Sequence, residues 1–424
     1  MFKTIKQIFS AKNKDIRKKI LYTLLVLLIY KVGTSIRVPG TSGFDAEEGF
    51  LGLLNVMAGG ALEQTSIFAL GVTPYISASI IVQLLQMDII PYFSNLAKEG
   101  HTGRVKLNKI TRYMGILLAF LQGLLMSISF IGTGNSAINY ITVALILTAG
   151  TCFLLWLGDQ VTQKGVGNGV SMIIMAGILI STKTMVIDAF NYFIVTGSVQ
   201  EIAFGVTKFL LFMLLYISII VGVVFIEKSE RRVPIQYANK TQTAYGAKQT
   251  YIPFKLNSAG VMPVIFASSL MSIPSLIATF VGGDFGLFVN QYINYTTPVG
   301  FIIYLLLIIG FTYLYTFMAS GLKPKELAEN LNKNGGYIPG VRPGKDTKKY
   351  ISSVLSRITL LGAIFLMVIA GLPILVSMLS SGLPSTITIG GTGLLIVVGV
   401  ALETYKQLEG SLVSRNYKKG YSRR

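Results

Sequence analysis

Charge is scarce in this chain. Of 424 residues, 13% are Asp, Glu, Lys or Arg, about half of the roughly 25% found in soluble domains. Hydrophobic residues make up 52%, and the mean hydropathy is +0.63. So little polar surface cannot coat a water-soluble globule, which excludes a soluble multidomain enzyme. Disorder, collagen and a disulfide scaffold are excluded by the same figures. Cysteine and histidine are nearly absent: Cys152, inside the apolar run TCFLLWLG, and His101. One cysteine forms no intrachain disulfide. The pair builds no zinc or iron site, and most of the 18 acidic residues fall in polar loops. Metal, cofactor and enzyme chemistry have no candidate constellation, because no Ser–His, Ser–Lys or paired-carboxylate arrangement occurs in the apolar segments. An integral membrane protein remains.

Apolar stretches occur near 20–36, 68–87, 113–131, 141–157, 170–187, 203–226, 258–281, 299–320, 358–379 and 390–404. A spanning helix needs roughly 17–25 residues, and ten spans is the simplest count. The net charge of +19 is distributed unevenly. Segments 1–19, 91–112, 158–169, 227–257, 321–357 and 405–424 hold 33 of the 37 Lys and Arg. The alternate segments hold few, and the first is acidic (Asp45, Glu47, Glu48, Glu63). Lys and Arg accumulate on the cytoplasmic side, so ten spans with both termini inside satisfy count and charge together.

Residues 1–19 space Phe2, Ile5, Ile8 and Phe9 along one helix face among lysines, which predicts an amphipathic cytoplasmic surface segment. The apolar run that follows lacks a small-residue cleavage site. Ten spans divide into a first half, 20–201, and a second, 202–404, followed by a basic cytoplasmic tail, 405–424. Five spans each make the halves oppositely oriented, an arrangement that frames a pathway in many transporters. The expected fold is an all-α integral membrane protein, with ten transmembrane helices in two inverted five-helix halves around a central pore.

The stretch 49–87 is the most informative. Gly49, Gly52, Gly59 and Gly60 interrupt its apolar first part, and Glu63 and Gln64 close it. Residues 53–64 therefore read as a short helix packed inside protein, since irregular backbone at membrane depth must be protein-buried or line a cavity. It is either a re-entrant segment without a special role or a movable obstruction. Val72, Ile76, Ser79 and Gln83 share one face of the following span. Val170 and Ile174 repeat the spacing after GVGNG at 165–169, which lacks the Lys and Ser/Thr of a phosphate loop. Such branched pairs are ordinarily core. Lys31, Asp88, Asp159, Glu227 and Glu403 sit at span ends, where they reach water. Loops 228–256 and 321–357 exceed the usual connection length. They mix basic residues, tyrosine and glycine turns in a way that suits a protein or ribosomal RNA partner.

Six stretches together resemble the SecY family of protein-translocation channel subunits, over nearly the whole chain. They are SIFALGVTPYISASIIVQLLQMD at 66–88, WLGDQVTQKGVGNG at 156–169, RRVPIQYA at 231–238, IPFKLNSAGVMPVIFASS at 252–269, NKNGGYIPGVRPGKDT at 332–347 and GGTGLLIVVGVALET at 390–404. Gly393 stands where the family usually has serine, and Asp159 where glutamate is commoner.

The resemblance implies a pore ring of Val72, Ile76, Val170, Ile174, Ile265 and Ile396. It implies a plug formed by Leu53, Leu54, Asn55, Val56, Met57, Ala58, Gly59, Gly60, Ala61, Leu62, Glu63 and Gln64. Ser79, Gln83 and Asn257 are expected at a lateral gate, and Arg231, Arg232 and Arg342 at partner-docking surfaces. Implied partners are the SecE and SecG subunits, the SecA motor ATPase, the ribosome, signal sequences with unfolded preproteins, and the lipid bilayer. No cofactor is implied, and the implied location is a bacterial plasma membrane. The rival reading is a secondary transporter of a small solute, which would place an ionisable or helix-broken site at midplane; here the midplane reads as apolar.

Overall fold

Each of the ten apolar segments overlaps one helix along its described residues. The computed structural model describes residues 14–41, 43, 49–86, 90–132, 134–194, 199–237, 250–281, 283–294, 297–318, 323–379 and 385–421. The first half contains α1 (Lys14–Thr34), α2 (Gly49–Met57), α3 (Thr73–Leu85), α4 (Pro91–Lys98), α5 (His101–Ile131), α6 (Ala137–Lys164) and α7 (Gly169–Phe193). Then follow α8 (Val199–Lys228), β1 (Glu230–Tyr237), β2 (Thr250–Lys255), α9 (Met262–Val281), α10 (Gly283–Tyr292) and α11 (Pro298–Met318). The chain continues through α12 (Pro324–Lys333), β3 (Gly336–Tyr337), α13 (Lys345–Leu379) and α14 (Ser385–Tyr421).

Among the described residues, six helices are long and apolar enough to cross a membrane: α5, α6, α7, α8, α11 and α13. The 13-residue α3 is shorter than a bilayer core requires. Val72 occupies its N-cap and Pro74 its first turn, so the helix begins later than the apolar run that starts at 68. The turns at 58–72 ahead of it are largely buried in protein, with Phe68, Ala69 and Leu70 in the core. The protein is thus an all-α, multi-pass integral membrane protein.

His101 opens α5, whose first turns carry the basic cluster beyond the apolar run. Residues 405–421, at the expected basic tail, continue α14 as helix. The amphipathic segment 1–19 lies outside the described residues up to 13, and residues 14–19 are the first turns of α1. Asp88 also lies outside the described residues.

The two long basic loops are one structure. β1 pairs antiparallel with β2, from Glu230↔Lys255 to Ile235↔Thr250, and with β3 through Gln236↔Tyr337 and Tyr237↔Gly336. The order is β2-β1-β3. Val233, Ile235 and Phe254 point to one face and pack with Leu331, Ile338, Ile351 and Leu355. That cluster seats the sheet on α12 and the first turns of α13.

Candidate channel constriction and its supports

Four helices carry the six expected ring positions, and all six belong to or pack against the main apolar cluster. Ile76 N donates to Val72 O at 3.1 Å, closing the first turn of α3. On α7, Asn168 Oδ1 accepts from Val170 N at 3.1 Å and Ser171 N at 3.4 Å. This N-cap satisfies donors that a helix start leaves open. Ile265 lies in the first turns of α9 and Ile396 in α14. Val72, Ile76, Ile174, Ile265 and Ile396 are 4–7% exposed in the main apolar cluster, and Val170 packs against it. Neither half contains the cluster alone.

The glycine-rich turn before α7 is a packing device. A Cβ on Gly169 would stand 1.7 Å from Gly158 O, and one on Gly165 would stand 2.5 Å from Thr23 Oγ1. Val166 N donates to Thr23 Oγ1 at 3.0 Å, and Gly169 N donates to Thr162 Oγ1 at 2.8 Å. The absent side chains let α6, α7 and α1 close together, which fixes where Val170 and Ile174 lie. Gly393 has a similar reason: a Cβ there would come 2.7 Å from Ile178 Cγ2, so α14 approaches α7 more closely than a serine allows without repacking.

A cavity of about 270 Å³ adjoins the ring. Ile174, Ile265 and Ile396 form its apolar side, while Glu227, Lys255, Asn257, Glu403 and Lys406 line the rest. Asn257 Nδ2 donates to Glu227 Oε1 at 2.6 Å and to Gly260 O at 3.0 Å, tying the end of α8 to the start of α9. Among the described residues, no group of three or more His, Cys, Asp or Glu side chains is placed to hold a metal.

The segment 53–64 departs from its predicted form. Instead of one helix, α2 ends at Met57, and turns follow through Thr65. Gly59 and Gly60 adopt φ of 71° and 81°, a left-handed geometry that stops a helix and suits glycine. Leu54, Asn55, Val56, Ala58, Gly59, Ala61 and Leu62 are buried, Met57 and Gly60 are half-buried, and Glu63 and Gln64 are exposed. The Leu53 side chain lies outside the described residues. Asn55 Nδ2 donates to Glu63 Oε2, and Glu63 N donates to Asn55 Oδ1, both at 3.1 Å. These bonds hold the turn against the helix. α2 packs against α7, α9 and α14, three of the four helices that supply the ring.

Two of the three expected gate residues bond each other, and the third takes other partners. Gln83 Nε2 donates to Ser79 Oγ at 3.1 Å within α3, whereas Asn257 is committed to Glu227 and Gly260. α3 does pack against α9. Arg231, Arg232 and Arg342 are all exposed. Arg232 Nε donates to Glu230 Oε1 at 2.8 Å, and its guanidinium lies 4.8 Å from the Tyr251 ring centre. The bond to Glu230 holds that guanidinium above the usual arginine range. Thr347 Oγ1 donates to Arg342 O at 2.8 Å, closing the turn on which Arg342 sits. Asp159, read as a solvated span-end charge, pairs with Arg112 on α5.

Sequence reasoning missed Tyr30 and Ser181, whose hydroxyls bond the carbonyls of Ala58 and Val56. Their separations of 28 and 125 residues follow no local period. Glu227 and Glu403 carried a usable signal, because both end spans on the same predicted side.

An apolar core gathered from both halves of a multi-pass helical bundle, with the α2 segment packed against α7, α9 and α14, is the fold of solved protein-conducting channels. A structure described as that of a protein conducting channel matches with a TM-score of 0.68 at 20% identity, covering 94% of this chain and 93% of the other. Sec61 in a canine ribosome-channel complex matches at 0.64, with 19% identity and coverage of 94% and 93%. The SecY family model matches residues 66–405. Protein translocase subunits SecY of Halalkalibacterium halodurans and Bacillus subtilis are each 46% identical, over 99% of both chains. The chain belongs to the SecY family.

Proposed function

We propose that this chain is the pore-forming subunit of a protein-conducting channel, which moves unfolded secretory polypeptides across a bacterial plasma membrane and releases hydrophobic segments into lipid. The carrying observation is the convergence of Val72, Ile76, Val170, Ile174, Ile265 and Ile396 in one apolar cluster. Branched apolar side chains around a narrow waist resist wetting and so block ions without charge. The same lining is indifferent to sequence, which suits a substrate of arbitrary composition.

Residues 53–64 act as the plug that closes this ring. The halves 20–201 and 202–404 part between α3 and α9 as the lateral gate, with Ser79 and Gln83 on its polar seam. Asn257 belongs there through its tie between α8 and α9. Arg231, Arg232 and Arg342 present the sheet formed by loops 228–256 and 321–357 to the SecA ATPase and the ribosome. SecE and SecG complete the channel, and both termini are cytoplasmic. Energy comes from these partners, since the chain has no nucleotide-binding motif. Exposed arginines on a sheet anchored to α12 and α13 support the docking reading.

Reconstitution tests the function directly. Vesicles containing the chain with SecE and SecG should protect a preprotein from added protease when SecA and ATP are present. Absence of protection, together with counterflow of a small solute, would favour the transporter.

A further inference from the structure

The segment 53–64 is held by two hydroxyls from different helices. Tyr30 Oη on α1 donates to Ala58 O at 2.9 Å, and Ser181 Oγ on α7 donates to Val56 O at 3.1 Å. Ala58 O lies just past the end of α2, beyond its last intrahelical donors, and Val56 O, in the last turn, takes the Ser181 hydroxyl as a second donor beside Gly59 N at 3.1 Å. Tyr30 and Ala58 are 1% and 3% exposed, so water does not replace that bond while the segment is seated; Ser181 is half-buried, and its bond to Val56 O is the more accessible of the two.

The seat fits backbone rather than side chains. Gly177 lies one helical turn before Ser181, and a Cβ there would come 2.2 Å from Met57 O and 2.9 Å from Tyr30 Oη. A Cβ on Gly59 would stand 3.1 Å from Gly177 Cα. Residues 57–59 therefore press directly on the α7 backbone, between the two hydroxyls. Tyr30 is oriented in advance by stacking on Phe68, which in turn stacks on Phe153 of α6, with centroids 6.2 and 6.0 Å apart. A hydroxyl aimed by packed rings loses little freedom when it bonds.

We propose that Tyr30 and Ser181 are positioning residues that form a two-hydroxyl latch, holding residues 56–58 and setting how readily this segment leaves its seat. Its bearing on channel closure rests on the plug reading above; its effect on the segment does not. Because each hydroxyl comes from a different helix, displacement of α1 or α7 alone releases one bond, and departure of the segment breaks both.

The test uses the full chain with its small subunits in lipid vesicles, comparing wild type with Tyr30→Phe, Ser181→Ala and the double variant. These replacements remove the hydroxyls and leave the shape of the seat. Thr148→Val is the control, since its hydroxyl bonds Ala144 O of its own helix, at 2.7 Å. Amide hydrogen exchange over 54–62 should quicken by about threefold in each single variant and roughly tenfold in the double. It should stay unchanged in the control. Halide leak is measured on the same vesicles. Unchanged exchange in the double variant overturns the latch, as does acceleration spread along α1 and α7 rather than confined to 54–62. Local acceleration without added leak keeps the latch and removes the sealing role.

Discussion

The backbone nitrogen of Ile76 donates to the carbonyl of Val72 at 3.1 Å, so two residues of the proposed ring are locked one turn apart on α3. Their spacing is set by main chain, and their side chains can be changed without moving the helix start. Ile265→Asn at the same constriction should raise ion leak through reconstituted vesicles, because a polar side chain wets the waist. Ile265→Leu conserves volume, should cost under about 1.5 kcal/mol, and should leave the seal intact. Conductance recordings of the two variants check this; equal leak would contradict it.

Asn168 caps α7 through its side chain, and Gly169 beside it has no room for a methyl group. Asn168→Ala should lower stability by about 1 kcal/mol, read as a fall in thermal midpoint in detergent. Gly169→Ala should do far more damage, because its Cβ would meet Gly158 O of the backbone. Gly222→Ala on α8, where nothing lies within 4 Å of the added atom, should be neutral or mildly stabilising.

Asn257 is tied to Glu227 at 2.6 Å. Asn257→Leu should destabilise by about 1–3 kcal/mol, since it strips a donor from a partly buried carboxylate. Combining it with Glu227→Met should recover part of the loss. A double-mutant cycle with no coupling would contradict the structural tie.

Arg231, Arg232 and Arg342 are solvent-facing, and alanine at each should leave the unfolding midpoint unchanged. Binding of SecA should weaken severalfold and become less sensitive to salt, since each change removes a screened charge. Titration at two ionic strengths checks this. A shift in midpoint would assign these residues to the fold instead.

The all-α, multi-pass character was legible because long apolar runs are strong signals; among the described residues six helices are long and apolar enough to span, and shorter ones such as α3 carry the remaining apolar runs only in part. That Val72, Ile76, Val170 and Ile174 fall four apart on α3 and α7 was legible in the sequence, as was the apolar character of Ile265 and Ile396 that places all six in or against the main apolar cluster. Helix ends were less so. α5 and α13 extend well beyond their apolar runs because basic residues are good helix formers once the first turns are anchored. The division of 53–64 into helix and turn depends on Gly59 and Gly60 together taking positive φ, which either glycine could have avoided. The joining of the two basic loops by β1 and β3 depends on residues a hundred positions apart, such as Gln236 and Tyr337. The bonds from Tyr30 and Ser181 are long-range in the same sense.

The most direct test of the account places a single cysteine at Ile265 in a Cys152→Ser background. A secretory chain carrying one cysteine is then stalled during translocation. A disulfide between the two that requires the substrate's signal sequence is the predicted result, because it puts polypeptide inside the ring. Adducts confined to lipid-facing control positions such as Leu214 or Phe225, both exposed on α8, would contradict the ring and the protein-conducting function together.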